Sequence, residues 1–206
     1  MSKKTAVLVD LGFAIKKLQK ILKRMPTAVE VRAFAVKCIE PDEELFRIYC
    51  YHCEPFDGTA THPLTGTTID FSKTGVCAIN SKLIAELKLS DNIAFRSGQL
   101  SVQGWMLKKY SMQDILKTKR AFVASDFSPD LKQKGVDIKI GLDVAWLANK
   151  RIIERIVLIT ADSDFIEPMK FARREGVQII LVTMGHKQVK KELKEHADIL
   201  RDVVFP

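Results

Sequence analysis

The sequence predicts an α/β domain built on a mainly parallel sheet, and three stretches predict it. Ile156–Ile159 is an uninterrupted apolar run, the pattern of a strand buried on both faces in the middle of such a sheet. Thr5–Asp10 and Val177–Thr183 repeat that pattern near the two ends of the chain, and each run is followed by a segment with helical character. Chemistry in such sheets gathers at the carboxyl ends of the strands, where Asp10, Asp162 and Asp164 fall.

Taken in order, Thr5–Asp10 leads through Leu11-Gly12 into an amphipathic helix over Phe13–Arg24. Ile15, Leu18, Ile21 and Leu22 recur there at helical spacing and lysines fill the remainder. Ala28–Ile39 reads as a helix, or a helix then a strand, and Pro41–Glu44 as a turn before a strand over Leu45–His52. A long polar insertion follows at about 54–80, rich in Thr, Gly and Pro; a connection of that length inside a domain suits a substrate-covering flap as well as an idle surface loop. Ser81–Leu89 is a short helix. Ile93–Arg96 and Gln99–Leu107 are extended pieces about a Ser97-Gly98 turn, which predicts a hairpin at the sheet edge. Gly135 breaks the chain before a helix with Ile140, Val144, Leu147 and Ala148 on its apolar side. Glu167–Arg174 is a helix with Pro168 in its first turn and Gly176 as its stop, and Lys187–Val203 is a closing charged helix.

At 206 residues the chain suits one domain over 1–206, with the insertion at about 54–80 and the C-terminal helix at about 187–203. With 47% hydrophobic and 28% charged residues it is globular, and no apolar run reaches the length of a membrane span. The start lacks the pattern of a secretory leader, so a cytoplasmic location is expected. Cys50 and Cys53 have C-x-x-C spacing, but residues three apart on a strand point to opposite faces, which argues against a shared zinc.

The net charge of +8, from 33 Lys and Arg against 25 Asp and Glu, favours an anionic partner. Locally acidic strand ends within a globally basic chain are what a metal-dependent nuclease needs: the surface holds the phosphate backbone and the carboxylates hold the metal. Each carboxylate also has a plainer reading as a helix cap or as a charge favoured by the helix dipole. Asp137 lies in the first turn of its helix. Asp143 lies about 9 Å further along the axis and points well away from it, so it is a candidate for a second metal position.

Val7–Asp10, Lys134-Gly135-Val136-Asp137 followed by Asp143, Thr160–Phe165 and Arg174–Val177 together resemble the NYN domain, the LabA-like branch of the PIN-like nuclease superfamily. The likeness extends through Phe46–Tyr51, Pro63–Gly66 and Gly104-Trp105. The resemblance implies a three-layer α/β/α sandwich whose carboxylates bind Mg²⁺ or Mn²⁺ and cleave RNA. It implies Asp10, Asp137, Asp162 and Asp164 as catalytic metal ligands with Asp143 alongside; Lys16, Lys134, Lys139 and Arg174 are the candidate contacts to RNA. RNA is the expected partner, without a membrane, and a homo-oligomer is left open. The chain departs from the family pattern in having Leu11-Gly12-Phe13 after its first Asp, where members usually follow Asp with Gly and, two residues later, Asn, and His52 where Asp is common. Phe13 is the feature that favours a second expectation, a non-catalytic RNA-binding or scaffolding module on the same fold.

Overall fold

The three apolar runs become adjacent parallel strands, with Val7 of the first lying between Ile48 and Val157 of its neighbours. The computed structural model describes residues 2–205. In chain order its elements are β1 (Lys3–Asp10), α1 (Leu11–Leu22), α2 (Ala28–Lys37), β2 (Glu43–Cys53), β3 (Thr59–Thr61), β4 (Thr68–Asp70), α3 (Gly75–Lys88), β5 (Ile93–Leu107), α4 (Lys109–Thr118), β6 (Phe127–Lys134), α5 (Val136–Asn149), β7 (Arg155–Ile159), α6 (Ile166–Arg174), β8 (Gln178–Val182), α7 (Lys191–Glu195) and β9 (Ile199–Leu200). The strand order is β6-β5-β2-β1-β7-β8-β9, and the pairs from β2 through β9 run parallel.

The chain forms two compact units. The first comprises Met1–His52, Leu83–Gly98 and Gly135–Pro206, and the second Cys53–Lys82 and Gln99–Lys134. In the first unit, Val7, Val9, Ile48, Cys50, Val157, Ile159, Ile180 and Val182 pack with Leu11, Leu18, Val31, Phe34 and Leu87 of α1, α2 and α3. Alternate strand residues such as Leu8, Tyr51, Leu158 and Leu181 are buried on the opposite face. There α5 buries Ile140, Val144 and Leu147, and α6 buries Met169 and Ala172, completing the three-layer α/β/α sandwich. In the second unit, β3 and β4 form a hairpin and the distal part of β5 pairs antiparallel with β6, from Gln99↔Lys134 to Leu107↔Phe127.

Several elements differ from the sequence reading. Residues 93–107 form one strand rather than a hairpin about Ser97-Gly98, because the antiparallel partner of the distal half is β6. The insertion at 54–80 is structured as the β3–β4 hairpin, a single 3₁₀ turn at Phe71–Lys73 and the start of α3, where the Thr74 hydroxyl accepts from the Cys77 amide. The helix expected over 187–203 is shortened to Lys191–Glu195, and the chain then adds β9 to the sheet. Asp198 explains the change: its carboxylate accepts from Ile179 N at 2.8 Å and from Arg173 Nε at 2.9 Å, which draws the chain alongside β8. All four cysteines are buried.

A buried ionic cluster locks the ends of the first unit together. The side chain of Glu43 is fully buried and accepts from Arg155 Nη1 at 2.9 Å and from Arg201 Nη1 and Nη2 at 2.8 and 2.9 Å. It joins the start of β2 to β7 and to the residue after β9. Burial pushes the Glu43 carboxyl up, but the two guanidiniums and the Glu40 amide outweigh it and hold it below its ordinary value.

Candidate functional site

The parallel register brings the first and last acidic motifs together. Because β1 pairs with β7, with Val9 opposite Ile159, Asp10 and Thr160 leave the sheet side by side. Asp10 is the N-cap of α1: its Oδ1 accepts from Phe13 N at 3.1 Å, and its Oδ2 accepts from the Thr160 hydroxyl at 3.2 Å. The Thr160 Oγ1 in turn accepts from Asp162 N at 3.1 Å. Asp162 caps the 3₁₀ turn Ser163–Phe165, accepting from Asp164 N at 3.0 Å. The plain capping roles are therefore present, but they occupy only part of each carboxylate.

Asp137 comes from α5, which Gly135 starts from a left-handed conformation with φ 78°, a region that favours glycine. Although Asp137 is largely exposed, its carboxyl is pushed above the ordinary range by partial desolvation and by the charges of Asp162 and Asp164. The Asp10 carboxyl is pushed up most by burial; the Phe13 amide and Thr160 hydroxyl pull it back, and the charges of Asp162 and Asp137 raise it further. Asp10, Asp137, Asp162 and Asp164 thus share one electrostatic neighbourhood at the carboxyl ends of the strands.

Among the described residues, no three His, Cys, Asp or Glu side chains converge closely enough to form a metal cage. An all-oxygen set in mutual repulsion instead fits a hard cation of the Mg²⁺ kind, which keeps waters and is held through one or two carboxylates plus substrate phosphate. Asp143 stands apart from this set. Its Oδ2 accepts from the Tyr51 hydroxyl at 3.0 Å and Arg96 Nε at 2.8 Å, and its Oδ1 accepts from Arg96 Nη2 at 3.2 Å. A carboxylate so engaged is a poor candidate for a metal position.

The candidate RNA contacts lie on four different elements. Lys16 is exposed on α1, and Lys134 is exposed at the end of β6 in the second unit. Lys139 donates to the Ser97 carbonyl. Arg174 ends α6, which leaves the site at its first turn, so the nine residues of that helix place Arg174 about 12 Å along the axis from its start. It lies over the Phe171 ring rather than beside the carboxylates.

Two participants were missed in the sequence. Thr160 is fully buried and links Asp10 to Asp162; its signal was a lone hydroxyl residue closing an apolar run. Lys190 donates to Ser163 Oγ at 2.9 Å, beside the acidic turn, and nothing in its local pattern marked it. Phe13 packs edge-on against His186, ring centroids 5.9 Å apart, with Lys17 Nζ 5.6 Å from its centroid.

A crystal structure of a protein of unknown function from Vibrio parahaemolyticus is similar in fold, with a TM-score of 0.53 at 13% identity over 98% of this chain and 94% of that one. No curated protein matches the sequence significantly. The profile of the NYN domain matches residues 80–203, a span that contains Asp137, Asp162 and Asp164. Asp10 lies outside the matched span and is joined to it by the pairing of β1 with β7. With more than half of its length matched, the chain belongs to the NYN domain family of the PIN-like nuclease superfamily.

Proposed function

We propose that the protein is a metal-dependent endoribonuclease of the LabA-like branch, with its site at Asp10, Asp137, Asp162 and Asp164. The observation that carries the reading is the electrostatic crowding of these groups: two of them are raised in pKa partly by the charge of the others. Like charges held together at the end of a parallel sheet cost stability unless a cation joins them, so the arrangement is better explained by binding than by folding. Mg²⁺ or Mn²⁺, when bound, would lower the pKa of a coordinated water and offset charge on the phosphoryl oxygens.

The residues themselves have separable roles. Asp10, half-buried and held by two hydrogen bonds, would set the position of the cation. Asp162 and Asp164, exposed on the 3₁₀ turn, and Asp137, exposed on α5, would complete the negative field that receives it. The basic surface, including Lys16, would draw in the RNA backbone.

Cleavage of labelled single-stranded and structured RNA with Mn²⁺, Mg²⁺ or EDTA tests the reading, using wild type, Asp10→Asn and Asp162→Asn. Cation-dependent cleavage lost in both variants is the expected result; cleavage by neither wild type nor variants sinks it. Phe13 favours the second reading, an RNA-binding module without catalysis, because it places a ring packed on His186 where the family has a polar side chain. That reading expects salt-sensitive binding that survives both substitutions.

A further inference from the structure

Asp143 is the acidic residue of the sequence motifs that the proposed metal site leaves unused, and its partners point to a different role. It grips Arg96 through two hydrogen bonds and is steadied by the Tyr51 hydroxyl. Tyr51 pairs in register with Asp10 across adjacent parallel strands, which lie about 4.8 Å apart. The Asp143–Arg96 pair is therefore tied by a single side chain to the strand position beside the carboxylate site.

Arg96 opens onto a recess of about 400 Å³ lined by Phe95, Arg96, Ser97, Lys139, Leu142 and Asp143. Its chemistry is mixed in a particular way. Arg96 and Lys139 supply positive charge, while Leu142 supplies apolar surface; the Phe95 ring itself packs toward the core on the other face of β5. Leu142 is 63% exposed, and Trp146, one turn further along the same helix face, is 50% exposed. Cations beside exposed apolar and aromatic surface are the combination that holds a single-stranded nucleic acid: charge for the phosphate, flat surface for the base. A guanidinium held in a fixed orientation is also better suited than a mobile lysine to meet phosphate oxygens in pairs.

We propose that this recess is a nucleotide subsite of the RNA strand adjoining the carboxylates. Arg96 contacts a phosphate, the base of that nucleotide lies against the exposed Leu142–Trp146 face of α5, and Asp143 is a positioning residue that aims Arg96. The subsite rests on the nuclease reading above, and the test separates the two. Binding of a fluorescein-labelled single-stranded oligoribonucleotide to the full chain is measured by anisotropy across a salt series, with Ca²⁺ and again with EDTA, beside Mn²⁺-dependent cleavage. The variants are Arg96→Ala, Arg96→Lys, Asp143→Asn and Leu142→Glu.

Arg96→Ala is expected to weaken binding several-fold and to lower the slope of log affinity against log salt by about 1, the signature of one lost phosphate contact. Arg96→Lys keeps the slope but not the full affinity, because the charge remains and the paired geometry does not. Asp143→Asn behaves likewise, which a purely structural role for the ion pair does not predict. Leu142→Glu also weakens binding, and its exposed position keeps the test valid even if Arg96→Ala fails to fold. A wild type that binds and cleaves RNA, with Arg96→Ala and Leu142→Glu binding equally well, overturns the subsite alone. A wild type that neither binds nor cleaves overturns the nuclease reading and the subsite together.

Discussion

The Thr160 hydroxyl donates to Asp10 Oδ2 at 3.2 Å and accepts from the amide of Asp162 at 3.1 Å, so one buried side chain sets the spacing of the first and last acidic motifs. Thr160→Val keeps the shape of the side chain and removes both bonds. Leaving the Asp162 amide without its acceptor and Asp10 without a donor costs about 1–3 kcal/mol, measurable by urea unfolding. The lost donor also raises the Asp10 carboxyl further, since that bond lowers its pKa. The acidic limb of any cleavage-against-pH profile is therefore expected to move to higher pH. An unmoved limb would show that Thr160 has no influence on the reacting group.

Asp10→Asn separates capping from charge, because Asn caps a helix about as well as Asp. The folded-state carboxyl of Asp10 is raised, so the folded chain binds protons more readily than the unfolded one, and stability falls as pH rises through that window. The variant is expected to melt higher than wild type at pH 7 without added metal, by roughly 2–4 °C if the relief is about 1 kcal/mol. The gain disappears below the unfolded value of 3.8, where both carry no charge there. A lower melting temperature at pH 7 would show that the Asp10 charge is not crowded.

Divalent cations should reverse that ranking. A cation bound only by the folded chain at a hundred times its dissociation constant stabilises by about 2.7 kcal/mol. Millimolar Mn²⁺ is expected to raise the melting temperature of wild type and of Asp143→Asn, and to have little effect on Asp10→Asn or Asp162→Asn. A missing response in Asp143→Asn would return that residue to the ligand set despite its bonds to Arg96 and Tyr51.

The Glu43 cluster makes a prediction far from the site. Glu43→Ala leaves Arg155 and Arg201 buried without their shared carboxylate and should cost about 3–5 kcal/mol. Because the folded carboxyl is depressed, its contribution is complete above the unfolded value of 4.5 and is lost as pH falls through the folded value. Wild type should therefore lose part of its stability to urea in acid, while the variant shows a flatter dependence over the same range.

Phe13→Asn installs the polar side chain that the family resemblance leads one to expect at this position. The helix N-cap bond from its amide is unaffected, since the donor is backbone. If Phe13 restrains catalysis, cation-dependent cleavage increases in this variant; equal rates in the two proteins would show that the ring, packed on His186, is neutral for the reaction.

The sheet and the acidic strand ends were legible in the sequence for a local reason. Ile156–Ile159 and Ile179–Val182 are apolar without interruption because both faces of a central parallel strand are buried, and Gly135 precedes α5 because a left-handed residue starts it. Such patterns record what each residue requires of its own surroundings. The partners of Asp143, Glu43 and Asp198 are of another kind. Tyr51 is 92 positions from Asp143 in the chain, Arg201 is 158 from Glu43, and no period or spacing links them. The pairing of residues 99–107 with β6 and the addition of β9 beside β8 were settled the same way, by edges and charges that meet only when the chain is folded. Asp143 looked like its neighbours in sequence because a carboxylate carries the same charge in either role; the arginine beside it gives it a different one.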